Sequence, residues 1–304
     1  MTNADTLAEV DVKEQIVKFV STASIEVTPH EEYRLAEIAR HLPPATNVYV
    51  AHPPRSHLQD VVRVAIKMQQ LGLQARPHIV ARALRSEREL RIALADLYSA
   101  GIERILLIAG DRNAPAGPFS STLDLLATGA TLDCKINSIA IAGHPEGHEV
   151  IGPSLLWDAL LTKQAFAQRT GTQMHVVTQF GFNPQAVLDW QRHSRERGIT
   201  LPVHVGLAGP MTLPRLIHFA MQCGIGASLH VLMKSTSALT HLAHVKTTPE
   251  EMLLALVSAQ SFATIVKPHF FGFGSSLDTA RWLRAVIEGA FELKQDGLTF
   301  SVRG

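Results

Sequence analysis

A glutamate inside an apolar, β-branched run is the first residue of this sequence that needs a chemical explanation. Glu26 sits in SIEVTP, where a buried carboxylate must be paired or protonated. Protonated, with a pKa raised by poor solvation, it would serve as a general acid. Turned outward or placed at the sheet's end, it would pair with a nearby arginine. More polar groups follow at the ends of later apolar runs. These are His78 in RPHIVA, Gly110 and Asp111 after RILLIA, His144 and His148 around Pro145-Glu146-Gly147, and Gln179 after MHVVT. Asp111 stands among Gly110, Asn113, Pro115 and Gly117, a composition that also makes turns. His144 and His148 lie off any helical pattern, and zinc asks for more ligands in firm geometry, so no metal is assigned. Gln179 donates and accepts, which suits a heterocyclic amide and equally a strand-end cap. Phe180, Phe182, Phe270, Phe271 and Phe273 gather at two strand ends with Met211 close to a third, and as a group they suggest a slot for a flat ring.

The elements that would position these residues recur as one unit. Short apolar runs begin near Ser24, Asn47, Arg76, Glu103, Asn137, Met174, Pro202 and Ile265, which makes eight candidate strands. Helical periodicity covers 31–41, 56–71, 86–100, 123–129, 154–169, 184–197, 213–223 and 277–294. Capping signals mark their starts, with Ser86 three residues before Glu89 and Asn183 before Pro184, and Gly72, Gly101 and Gly198 mark their ends. Continuous apolar strands, each followed by a helix, predict a parallel sheet covered on both faces. Eight such units predict an α/β fold, a closed (β/α)8 TIM barrel, and neither GxGxxG nor GxxxxGK[ST] supports an open nucleotide-binding sheet. The expected organisation is one barrel domain over 1–304, with an N-terminal helical extension at 1–22 and extra helices at 224–263 between strands seven and eight. In a barrel the polar strand ends share one rim, where active sites are built.

The composition narrows the partners. The 304 residues are 46% hydrophobic and 18% charged, with 28 Lys and Arg against 27 Asp and Glu, so neither a disordered chain nor a charge-driven nucleic-acid binder is expected. Cys134 and Cys223 are too few for a disulfide framework. The acidic start, MTNADTLAEVDVKEQ, does not read as a targeting signal, and no window is long and apolar enough for a membrane span. A cytoplasmic enzyme is therefore expected, with a homodimer as the commonest assembly.

The series IEVTP, IAGDRNAPAG, IAGHPEGH, VVTQFGFNPQAVLDW, GITLPVHVGLAG and PHFFGFG, from Ser24 to Gly274, resembles the methylenetetrahydrofolate reductases. The resemblance implies a (β/α)8 barrel that interconverts 5,10-methylenetetrahydrofolate and 5-methyltetrahydrofolate by hydride transfer from NADH or NADPH, usually through bound FAD. It implies that Glu26 is the general acid and that Asp111 holds the pterin and stabilises the cation formed from it. Gln179 then contacts the pterin, with Phe180, Phe182, Met211 and Phe271 lining the folate slot. His78, Gly110, His144, His148 and Lys163 fall on cofactor-contact positions. Three departures bear on FAD: Ala109 replaces an arginine at the end of strand four, the segment LLTKQAFAQRTGTQ keeps Lys163 but loses the acidic residue of the family's pattern, and Val27-Thr28 replace paired phenylalanines. Pyrophosphate needs cations or helix-end amides, so the balance of these losses points to weak or absent flavin. Two rival readings remain: a different folate- or metal-dependent barrel enzyme, such as a methyltransferase or hydrolase, and a non-catalytic methyltetrahydrofolate-binding protein.

Overall fold

The structure is a computed structural model that describes residues 3–54, 56–222, 246–247, 249–259, 265–294 and 299–302. A helix, α1 (Asn3–Ser21), precedes the first strand. Eight parallel strands then close on themselves: β1 (Ser24–Val27), β2 (Asn47–Val50), β3 (Gln74–Val80), β4 (Arg104–Ile108), β5 (Ser138–Gly143), β6 (Gln173–Thr178), β7 (Val203–Ala208) and β10 (Ile265–Phe271). The barrel is sealed where β1 pairs with β10, Ile25 opposite Phe270. Its outer helices are α2 (Leu35–Arg40), α3 (Leu58–Gln70), α4 (Glu87–Ser99), α5 (Thr122–Ala127), α6 (Ala130–Asp133), α7 (Pro153–Thr170), α8 (Pro184–Glu196), α9 (Leu213–Gln222), α10 (Glu250–Val257) and α11 (Ser276–Ile287). Among the described residues no helix is long and apolar enough to cross a membrane.

The local signals work as chemistry dictates. The Ser86 hydroxyl accepts from the Glu89 amide, and Asn183 accepts from the amides of Gln185 and Ala186 ahead of Pro184. Gly72, Gly101 and Gly198 all adopt positive φ just past their helices.

The strands alternate, where the sequence pattern reads as continuously apolar. Ile25, Val27, Val48, Val50, Ile105, Leu107, Ile139, Ile141, Val203 and Val205 join the large core packed under the helices. The intervening positions face the barrel interior, where Tyr49, Leu106, Ala140 and Val177 form a small cluster of their own. Most of their interior neighbours are polar: Glu26, Arg76, His78, His175 and His269 are all buried. Branched aliphatic side chains usually fill such an interior.

Two expectations are corrected. The segment 277–294 is not one helix, because α11 stops at Ile287. Gly289 takes φ 73° and the Ala290 amide reaches back to the Ala285 carbonyl, a left-handed helix end. Beyond it β11 (Phe291–Leu293) pairs antiparallel with β12 (Phe300–Val302). The rings of Phe291 and Phe300, 4.7 Å apart, bury this hairpin. The segment 31–41 begins as a 3-10 turn, Pro29–Arg34, and only then becomes α2. Of the elaboration expected at 224–263, only α10 and a two-residue strand, β9 (Lys246–Thr247), which pairs with β8 (Met211–Thr212), belong to the described residues. The helix expected at 226–241 lies outside them.

Gly206 shows how tightly the rim of the barrel is built. A Cβ there would stand 2.3 Å from the Thr178 carbonyl oxygen and 2.8 Å from the Phe271 ring. Because backbone cannot yield as a flexible side chain would, Gly206→Ala is expected to destabilise the barrel by about 1–3 kcal/mol. A lowered urea midpoint at unchanged m-value would show it.

Candidate functional site

Glu26, inward-facing near the C-terminal end of β1, is 6% exposed. Its carboxyl pKa is pushed up to about 8, first by burial and then by the negative charge of Glu31. The group nearest to it comes from β3: His78 Nε2 lies 3.5 Å from Glu26 Oε2. Burial, reinforced by His52, holds the His78 imidazole down at about 3. Near neutral pH the pair is thus a carboxylic acid against a neutral imidazole, and Glu26 carries a proton that it can give away. The outward, arginine-paired alternative for Glu26 does not occur.

Below this pair the interior is held together by rings and hydrogen bonds. Tyr49 Oη lies 2.9 Å from His175 Nε2, and Ser24 Oγ lies 2.9 Å from His269 Nδ1. His175 stacks on His204 at 4.1 Å. Arg76 donates to the carbonyls of Ile105 and Ser138 and to the Ser138 hydroxyl. None of His175, His204, His269 or Arg76 is singled out by the sequence. The available signal is period-two alternation, as in Arg76-Pro77-His78 and His269-Phe270-Phe271, hidden by the apolar residues between.

At the rim, Phe180, Phe182, Phe271, Phe273 and Met211 meet in one apolar cluster with Leu213, Leu216 and Phe219. Phe273 is its centre, 4.9 Å from Phe180 and stacked on Phe219 at 4.4 Å. Phe219 on α9 is a member that sequence reasoning missed. Phe270 does not belong to it, because alternation turns it outward against Trp282, 5.4 Å away. The slot adjoins the acid through β10: Phe271 packs on His269 at 4.7 Å, and Gly272 approaches so closely that a Cβ would stand 2.7 Å from the Glu26 carbonyl oxygen.

Of the remaining sequence-predicted residues, His144, His148 and Lys163 lie near one another. Gln179, half-buried after β6, is anchored by its amide to the Gly143 carbonyl, and its side-chain oxygen accepts from the Phe180 amide. Asp111 is exposed after β4 and follows Gly110, whose φ is 89°. His144 and His148 are in edge contact at 5.1 Å. His144 is held down at about 4, chiefly by burial, whereas the exposed His148 accepts from the amides of Val150 and Ile151 in its own loop. Lys163 on α7 is buried, and burial lowers its amine to about 8. Among the described residues no group of three or more His, Cys, Asp or Glu is placed to hold a metal ion.

These placements bear on a flavin. His78 points into the barrel, a Cβ on Gly110 would stand 2.4 Å from the Val80 side chain, His148 is bound to its own loop, and Lys163 is buried. This set presents no exposed cation to a pyrophosphate, and it does not fit FAD well.

A family model described as methylenetetrahydrofolate reductase matches residues 30–271. Solved structures that match include a dihydropteroate synthase (FolP) from Thermus thermophilus, at 13% identity over 85% of this chain and 90% of that one, with a TM-score of 0.42. A protein from Aquifex aeolicus matches at 9% identity over 95% of this chain and 99% of that one, with a TM-score of 0.45. A conserved protein of unknown function from Enterococcus faecalis matches at 9% identity over 86% and 65%, with a TM-score of 0.44.

Proposed function

The chain belongs to the methylenetetrahydrofolate reductase family, and from that premise we propose that it reduces 5,10-methylenetetrahydrofolate to 5-methyltetrahydrofolate with hydride from NADH or NADPH. The observation that carries this reading is the buried carboxyl of Glu26, its pKa raised chiefly by that burial, beside an aromatic slot. The family match begins at residue 30, so the role of Glu26 rests on its geometry.

The bridged folate holds its one-carbon unit between two nitrogens and accepts hydride poorly until one carbon–nitrogen bond opens. Glu26 gives its proton to the bridge nitrogen remote from the pterin, that bond breaks with its electrons left on nitrogen, and the carbon becomes a 5-iminium cation. Hydride from the reduced nicotinamide then completes the methyl group, leaving an oxidised nicotinamide, and Glu26 recovers a proton from solvent. His78 stays neutral throughout and adds no positive charge beside the cation. Asp111 supplies negative charge at the rim for the pterin and the cation, and Gln179 reads the pterin's amide edge. The phenylalanine slot takes the flat rings and excludes water.

No step runs through flavin, because the residues at the flavin positions do not fit it. The reductant and the folate then share the slot, and hydride passes directly between them. The purified protein is expected to lack a flavin absorption band and to oxidise NADH or NADPH when methylenetetrahydrofolate is present without added FAD. A stoichiometric flavin band, or strict dependence of turnover on FAD, would contradict the direct route.

A further inference from the structure

The turn after β1 carries a second buried carboxylate that the reaction above does not use. Glu31 is 4% exposed. Locally it closes a capping box: its Oε2 accepts from the Thr28 amide and the Thr28 hydroxyl, both at 3.1 Å. A surface capping box needs nothing more, but this one reaches across the fold. Glu31 Oε1 accepts from the Ser276 amide at 3.0 Å, at the first residue of α11, and Oε2 lies 2.8 Å from the Ser276 hydroxyl. That hydroxyl is also 2.8 Å from the main-chain oxygen of Glu26.

The carboxylate thus stands at the N-terminus of a twelve-residue helix, where negative charge is favoured, and it is gripped by donors from both ends of the chain. Space has been cleared for this clamp. A Cβ on Gly272 would fall 2.4 Å from Ser276 Oγ and 2.7 Å from the Glu26 oxygen, so only glycine leaves room for the serine to sit between the two glutamates.

From this geometry we propose that Glu31 is a positioning residue for the proton donor. Held by Thr28 and Ser276, it keeps a negative charge near Glu26 that favours the protonated form, while the Ser276 hydroxyl, its one hydrogen shared between Glu31 Oε2 and the Glu26 carbonyl oxygen, links the Glu26 main chain to the same clamp. This rests on the reading of Glu26 as the acid. The other groups around Glu26 do not replace it. His78 from β3 is neutral, as is His269 from β10, and His52 acts on His78. Tyr49 from β2, opposite Glu26 in the sheet, is held in its neutral phenol form, with its pKa pushed up to about 12.

The test is an infrared difference titration of the free protein that follows the carboxyl band removed by Glu26→Gln. In the unsubstituted protein the band should titrate near 8. Glu31→Gln should lower that midpoint by roughly half a unit to one unit, as loss of a nearby like charge requires. Glu31→Asp, which keeps the charge, should restore most of the shift. An unmoved midpoint in Glu31→Gln overturns the proposal, and so does a Glu31→Asp midpoint that falls equally far, because the effect would then be structural. Should Glu31→Gln fail to fold, Ser276→Ala carries the test in the same titration: with the hydroxyl that holds Glu31 Oε2 removed, the midpoint should move down in the same direction, and an unmoved midpoint overturns the positioning role. Because the titration needs no turnover, the two readings fail separately. Normal turnover in Glu26→Gln would remove Glu26 from the acid role and leave the effect of Glu31 on its carboxyl measurable, whereas an unmoved midpoint would sink the clamp and leave the reductase.

Discussion

Glu26→Gln is expected to lower kcat about 10²- to 10⁴-fold, the usual contribution of a positioned general acid, while folate binding stays within a few-fold. Glutamine has nearly the same shape and still donates a hydrogen bond from its amide, so the slot formed by Phe180, Phe271 and Phe273 keeps its walls. What it lacks is a proton to transfer. His78 cannot take over, since its imidazole is held neutral far below its ordinary range and lies 3.5 Å behind the carboxyl. In the unsubstituted enzyme kcat should fall as pH rises through about 8, where Glu26 loses its proton, and that limb should vanish in the variant. Pre-steady-state mixing with methylenetetrahydrofolate, and equilibrium titration with 5-methyltetrahydrofolate, separate the chemical step from binding. A variant that keeps more than about a tenth of the activity would remove Glu26 from the acid role, and a protein with no turnover to lose would favour the non-catalytic binding reading.

The second large effect is on stability in mild acid. His78, His144, His175, His204 and His269 all have their pKa values lowered, in each case chiefly by burial. Each binds a proton in the unfolded chain near 6.5 and does so in the folded chain only at much lower pH. Between those values the unfolded state holds more protons, and stability falls as pH falls, by up to about 1.4 kcal/mol per pH unit for each group. Glu26 has the opposite sign. Its folded pKa lies above the unfolded 4.5, so its contribution grows as pH falls from 8 toward 4.5 and offsets more than one histidine. Five histidines outweigh one carboxyl, so the net effect between pH 7 and pH 5 is a loss of stability, large against the marginal stability of an ordinary domain. Urea unfolding at pH 7, 6 and 5 should show the midpoint falling steeply. A flat profile would mean that the interior histidines are charged or solvated in the folded state.

The same histidines mark where sequence reasoning runs out. Runs such as NVYVAH and IVKPHFFGF read as continuous apolar strands because the helix-facing positions dominate the count, and eight of them suffice for the barrel. The inward positions carry the polar chemistry, and a single histidine every second residue is diluted by valine and phenylalanine on either side. Glu26 stands out because a carboxylate in a strand has few benign explanations. Glu31 does not, because Thr28-x-x-Glu31 reads as an ordinary helix start, and its partner Ser276 lies 245 residues away in the chain. Proximity in sequence puts Phe270 in the slot, whereas alternation sends it to the opposite face. The helix end at Ile287 is hidden although Gly289 is in plain view, since the apolar residues beyond it continue the pattern into a hairpin.

The central claim is that this barrel passes hydride directly from a nicotinamide to a folate iminium made by Glu26. It is tested most directly by anaerobic turnover with NADH deuterated at its transferable position and 5,10-methylenetetrahydrofolate, followed by mass analysis of the product. Direct transfer predicts 5-methyltetrahydrofolate with one deuterium retained in its methyl group, without added FAD. Failure to form methyltetrahydrofolate, or a methyl group whose label has washed out into solvent through an exchangeable carrier, would contradict it.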